Sequence, residues 1–212
     1  MIDTSGRTGR GSPHRDSMGA MPKKVDRHER RTRIADALMR VAARQGMEAV
    51  SLRHVAAEAG VSPGMVQHYF RTKDEMMAFA MAVVRERNQA RVTEAVSRLG
   101  DDPPPRLLLR TMIATLLPLT EESREDGRVA LAFLAYTAVR PEAGEGLRED
   151  TRELVAFMAS LIPGPRREER ATGLLALMEG LGIYLLGGQY TAEQAVAALD
   201  AQLDILFAPA GA

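Results

Sequence analysis

Residues 51–70 read SLRHVAAEAGVSPGMVQHYF, and this stretch decides how the rest of the chain is organised. Ser51 is a helix N-cap residue, and Leu52, Val55 and Ala56 follow at helical spacing, which predicts a short amphipathic helix running to Ala59. Gly60 supplies a turn. Ser62 caps a second short helix, with Pro63 at the first position where its missing N–H costs nothing, and this helix ends near Phe70. Leu52, Val55, Ala56, Val61 and Val66 fall where they pack the two helices together, the pattern of a helix-turn-helix. Such a unit lays its second helix in the major groove of DNA, with its first residues facing base edges and phosphates.

The exposed residues of the motif suit that task. Gly64 allows close backbone approach, Met65 can touch a thymine methyl, and Gln67 can pair bidentately with adenine. Arg53 projects from the first helix, while His68, Tyr69 and Lys73 can donate to phosphate oxygens. Each has a plainer reading: Met65 as core, His68 and Tyr69 as boundary residues packing on a neighbouring helix. Only their coincidence points to DNA.

Upstream, Ile34, Leu38, Val41 and Ala42 form one helical stripe, and Arg30, Arg31, Arg33 and Arg40 lie largely outside it, the first three as a solvated face or as further phosphate contacts. Gly46 stops that helix. Downstream, Thr72 and Glu75 form a capping box for a long helix carrying Met76, Phe79, Ala80, Val83 and Val84 and reaching Leu99. Gly100 and the run DDPPP at 101–105 break it. Five more helices are expected at 105–119, 123–140, 143–161, 166–188 and 191–207. Residues 1–26, rich in Gly, Ser, Pro and Arg, lack apolar periodicity and read as a disordered tail.

The segment GVSPGMVQHYFRTKDEM (60–76) resembles the N-terminal signature of TetR-family transcriptional regulators, with a Gly-Val-Ser turn, a short recognition helix ending in an aromatic pair, and a Lys opening the next helix. The resemblance is strong over residues 28–88, and helix number and length extend it in outline to residue 207. The stretch MPKKVDRHERR (21–31) and the HYF ending are also similar to the choline-responsive BetI-like subgroup. The resemblance implies that Ser51 caps its helix and touches a phosphate, that Ser62, Pro63, Gly64, Met65 and Gln67 face the bases, that Tyr69 and Lys73 grip the backbone, and that Phe70 is core. Gln67 stands where many members have Tyr, so a residue usually on the backbone becomes a base reader here. After the tail at 1–26, the same resemblance implies a DNA-binding domain at 27–88 and a ligand-sensing and dimerising domain at 89–212.

The C-terminal half supports dimerisation on its own terms. From Leu174 to Leu186 the chain is apolar on more than one face, through Leu174, Leu177, Met178, Leu181 and Leu185 with glycines between. Ala195, Ala198, Leu199, Gln202, Leu203 and Leu206 run along the last predicted helix beside small residues. Two such helices per chain would build a four-helix interface, against an ordinary monomer core as the alternative. For an effector pocket, Met112, Leu116, Phe133, Tyr136, Phe157, Met158 and Met178 are candidate linings, since Met adapts to irregular apolar ligands and Tyr136 offers a polar handle.

Composition closes off other classes. The 32 Ala and 23 Leu outnumber the 14 Val and 6 Ile, which favours an all-α protein: a helix-turn-helix domain plus a helical bundle, about nine helices in all. With no Cys there is no disulfide framework or thiolate site, as fits a reducing cytoplasm. All four histidines lie before residue 69, so no metal or other cofactor is expected in the second half. The longest apolar stretch, VALAFLAYTAV at 129–139, is too short to span a bilayer, and the N-terminus lacks the apolar core of a signal peptide. No nucleophile elbow, P-loop or HExxH is present, and Gly180-Leu-Gly182 is only the start of a dinucleotide fingerprint. The net charge of zero divides into +6 over residues 1–90 and −6 over 91–212. The expectation is a cytoplasmic homodimeric repressor that binds a palindromic double-stranded operator with half-sites ~34 to 36 Å apart and is released by a small-molecule effector. The alternatives are a helical interaction module, an activator without such a ligand, and an enzyme.

Overall fold

A computed structural model describes residues 23–46 and 49–209. Among the described residues there are nine α-helices and no strand: α1 Lys23–Gln45, α2 Leu52–Ala59, α3 Pro63–Tyr69, α4 Lys73–Ser97, α5 Pro105–Leu116, α6 Glu121–Val139, α7 Glu145–Leu161, α8 Arg167–Leu186 and α9 Ala192–Phe207, with a 3-10 turn at Pro141–Gly144 before α7. The all-α expectation holds. Residues 1–22, most of the expected tail, lie outside the described residues, whereas 23–26 belong to α1.

The local signals act as read. Ser51 accepts a hydrogen bond from the His54 N–H and Ser62 from the Met65 N–H, both at 3.2 Å, so each short helix starts at its capping side chain. Gly60 takes φ 67°, left-handed backbone that closes α2 and turns the chain into α3. Thr72 accepts from the Glu75 N–H at 3.0 Å, while the Glu75 carboxylate reaches one residue further back than a capping box requires and accepts from the Arg71 N–H at 2.9 Å. That bond stiffens the α3–α4 turn.

Two apolar cores follow. The first gathers Ile34, Leu38 and Val41 of α1, Val55 and Ala56 of α2, Val66 of α3, Phe70, and Met76, Met77, Val83 and Val84 of α4, and is completed by Val129 and Phe133 of α6. The second joins α5, α7, α8 and α9 through residues including Leu109, Met158, Leu174, Leu185, Leu199 and Leu203. The division expected at residue 88 therefore falls inside α4, which runs unbroken to Ser97, and α6 reaches across it. Burying charge at this junction requires pairing. Asp126 of α6 is buried and accepts from Arg91 at 2.8 Å and Arg87 at 3.5 Å, and Arg87 also donates to Asp36 of α1 at 2.7 Å. Desolvation works against the Arg87 charge, but Asp36 and Asp126 outweigh it and hold the guanidinium above its usual pKa.

Six of the eight residues expected at a dimer interface have no face left for a partner. Leu174, Leu181 and Leu185 of α8, with Ala195, Leu199 and Leu203 of α9, are buried in the second core of their own chain. Leu177 and Gln202 are half-buried. Helical spacing identified two apolar faces on these helices but could not say which one the rest of the chain covers.

Candidate nucleic-acid interface

Val66 and Phe70 anchor α3 in the first core, and the helix then presents its other face outward. Ser62, Pro63, Gly64, Met65, Gln67 and His68 are all exposed, and Tyr69 is half-buried. Met65 is thus not core. His68 and Tyr69 stack edge to face with ring centroids 5.2 Å apart. On the flanks, Ser51 is half-buried at its cap, Arg53 is exposed on α2, and Lys73 opens α4 beside Tyr136, its ammonium 5.8 Å from the ring centroid. A small, capped, outward helix with bases on either side can enter a groove and reach phosphates.

Sequence reasoning missed one base and misplaced another. Arg71 is exposed in the turn between α3 and α4, and among the described residues its side chain makes no ion pair, so its guanidinium is available to reach a phosphate from the same turn that leads into Lys73. Its position between the recognition helix and the capping Thr72 was the available signal. Arg31 does not belong to a solvated face: its guanidinium lies 4.9 Å from the Phe70 ring centroid and 4.4 Å from that of Phe79. It ties α1 to the end of α3. Arg33 and Arg40 pair with Glu29 and Glu58, each at 2.6 Å.

A cavity of about 540 Å³ lies within the second half, between α4, α5, α6, α7 and α8. Its size is that of a small-molecule site. Four of the seven expected lining residues are there: Met112 and Leu116 from α5, Phe157 from α7 and Met178 from α8. Three are elsewhere. Phe133 is buried in the first core and Met158 in the second, because on α6 and α7 their faces turn to neighbouring helices instead of the cavity. Tyr136 packs against the start of α4, where its hydroxyl donates to Asp74 and accepts from Arg140 at 3.1 Å. Burial and the Asp74 carboxylate raise its pKa above the ordinary tyrosine value.

The cavity also holds polar residues that sequence reasoning did not select. Arg85, Asn88 and Gln89 come from α4, Asp150 and Glu153 from α7, and Glu179 from α8. Arg85 and Asp150 form an ion pair with each other. Glu179 as a whole residue is exposed, but partial desolvation by the apolar wall pushes its carboxyl above its ordinary pKa. Glu179 is the one charged residue between Leu174 and Leu186, and a lone acid in an apolar helical run was a legible signal. Among the described residues no three His, Asp or Glu side chains gather as a metal site would need, and no helix is long and apolar enough to cross a membrane.

Val84 belongs both to the first core and to the cavity wall, and Met81 likewise packs against the one and lines the other. Helix α4 therefore carries the cavity at its middle and the α3 junction at its start.

Comparison with known proteins agrees with this architecture. Residues 34–79 match the family described as "Bacterial regulatory proteins, tetR family", and residues 105–208 match "BetI-type transcriptional repressor, C-terminal". The chain is similar to the HTH-type transcriptional regulator PksA of Bacillus subtilis, 33% identical over 173 residues that cover 78% of this chain and 83% of PksA. It is also similar to the HTH-type transcriptional regulator BetI of Burkholderia thailandensis, 32% identical over 89% of this chain and 99% of that protein. Among solved structures, a transcriptional regulator from Rhodococcus sp. Rha1 superposes with a TM-score of 0.75 at 36% identity, covering 83% of this chain and 95% of that one. These two family matches and the similarity to PksA and BetI over most of the chain show that the chain belongs to the TetR family of DNA-binding transcriptional regulators.

Proposed function

We propose that this protein is a homodimeric repressor that reads a palindromic operator through α3 and is released when a small molecule occupies the cavity between α4 and α8. The observation that carries the reading is the double membership of α4. Val84 and Met81 touch the headpiece core on one side and the cavity on the other, so a ligand that spreads the cavity wall must either move α4 or be paid for by distortion of its packing. Such a ligand acts only through a difference in affinity for two arrangements of the headpieces.

Ser62, Pro63, Gly64, Met65 and Gln67 face the bases; Ser51, Arg53, His68, Tyr69, Arg71 and Lys73 hold the phosphates. The partner subunit is a second copy, seated on the outward face of α8 and α9. There Gly180, Tyr184, Ala198 and Tyr190 line a groove of about 320 Å³, and Tyr184 and Ile205 stand exposed. Exposed aromatic and aliphatic side chains beside small residues suit close helix packing.

The decisive experiment is selection of bound fragments from a random DNA pool. The expected product is a palindrome with half-sites about one helical turn apart. Binding no tighter to the selected fragments than to random DNA at moderate salt would sink the specific-regulator reading.

A further inference from the structure

We propose that the cavity takes a lipophilic protonated amine, whose ammonium N–H groups donate to the Glu179 carboxylate while its apolar body lies among α4, α5, α6 and α7. The proposal deepens the effector reading and rests on it.

The first argument is charge. Arg85 is the one cation in the lining, and it is engaged by Asp150, whereas Glu153 and Glu179 add two further carboxylates. An anionic ligand would meet net negative charge. Among the described residues neither an ion pair nor a hydrogen bond engages Glu179, and most of the remaining wall is apolar: Met81, Val84, Met112, Leu116, Leu131 and Ile183. Glu179 is still exposed on the open side of the cavity, and the wall around it removes part of its hydration, which raises its pKa. A ligand that brings positive charge and a hydrogen-bond donor to this carboxylate gains a charge-assisted bond, which a neutral ligand cannot give.

The second argument separates kinds of cation. A quaternary ammonium has no N–H to donate and is held by aromatic faces, typically several around the charge. Phe157 is the one aromatic residue in the lining. The headgroup therefore has to be an amine with at least one N–H. The third argument is size. At about 30 Å³ per water, 540 Å³ corresponds to roughly 18 waters, room for a body far larger than a bare ammonium headgroup.

The test is calorimetric titration of the full chain at neutral pH with four probes sharing a ten-carbon tail: decylamine, decyltrimethylammonium, decanol and decanoate. Decylamine is expected to bind at least about ten-fold more tightly than each of the others. In E179Q that preference is expected to vanish, with decanol binding and melting temperature unchanged. Equal binding of decanol, decanoate or decyltrimethylammonium to the wild-type protein overturns the proposal, and so does an amine preference that survives in E179Q. The wild-type comparison stands even if E179Q fails to fold. Release of the selected DNA fragment is followed in parallel. Amine binding without release sustains the amine site and counts against the effector reading; release by decanol or decanoate with no amine preference does the reverse.

Discussion

Gln67 and Lys73 sit 6 positions apart in the chain on opposite sides of Phe70, and their surroundings give them different work. Gln67 is exposed on the outward face of α3 and points an amide, a group that reads base edges; Lys73 begins α4 and carries only charge. Gln67→Ala should relax sequence preference at one operator position, at a cost of about 1–3 kcal/mol for the preferred base. Lys73→Ala should weaken all sequences alike and reduce the salt slope by about one unit. Binding isotherms on the selected operator and on single-base variants, each at several salt concentrations, separate the two; a uniform loss for Gln67→Ala would remove it from the base readers. The motif itself was legible because capping serines, Pro63 and Gly60 act within a few residues of themselves in the chain. Arg31 was not, since its place over Phe70 and Phe79 depends on α1 meeting residues about forty to fifty positions away.

At the scale of elements, helix existence followed from periodicity, and the ends followed from caps. The expected 123–140 helix begins two residues earlier because Thr120 and Ser123 form a reciprocal cap. Charges between elements were not legible. Arg110 of α5 grips Asp200 of α9 with two bonds of 2.6 and 3.0 Å, across ninety residues of chain. The Arg110 hydrogen bond lowers the Asp200 pKa below the usual carboxylate value. Stability from this pair is therefore full above about pH 4, the unfolded carboxylate range, and is lost as pH falls through the lower folded value. Asp200→Asn should melt below the wild type at pH 7, and the gap should close on acidification; a gap independent of pH would mean that Asp200 acts by packing alone. Gly173, inside α8 with nothing within 4 Å of an added Cβ, offers the converse. Gly173→Ala should stabilise the fold by about 0.5–1 kcal/mol in thermal unfolding, through lower backbone entropy of the unfolded chain.

For the whole molecule the question is how cavity, headpiece and partner communicate. Tyr136 holds α6 to the start of α4 through Asp74, next to Lys73, which is proposed to contact phosphate. Tyr136→Phe removes two partly exposed hydrogen bonds, to Asp74 and from Arg140, each about 0.5–1.5 kcal/mol, and should lower the melting temperature only modestly while weakening the response of DNA binding to ligand. Unaltered ligand response would place the coupling elsewhere, the Asp36–Arg87–Asp126 network being the next connection between α1, α4 and α6. Assembly gives a paired prediction. Leu199→Ala opens a cavity in the chain's own core and should cost about 2–5 kcal/mol of folding stability. Ile205→Arg changes a residue 68% exposed and should leave the fold intact while shifting sedimentation toward the monomer; a dimer that survives it excludes this face of α9.

The division of net charge into +6 and −6 is also a property of the whole molecule, and the structure qualifies it. Arg33, Arg40, Arg85 and Arg87 of the basic half are committed to internal ion pairs, so the positive field at α3 comes from few side chains, Arg53 and Arg71 among them. What the sequence by itself determined was local: helices, caps, turns and the outward residues of α3, all set by interactions within a turn or two of chain. Which apolar face is core and which is free, where Tyr136 and Phe133 point, and that an unpaired Glu179 lines a cavity were decided only in the tertiary structure. Those properties depend on which helices meet, and helical periodicity marks an apolar face without naming what covers it.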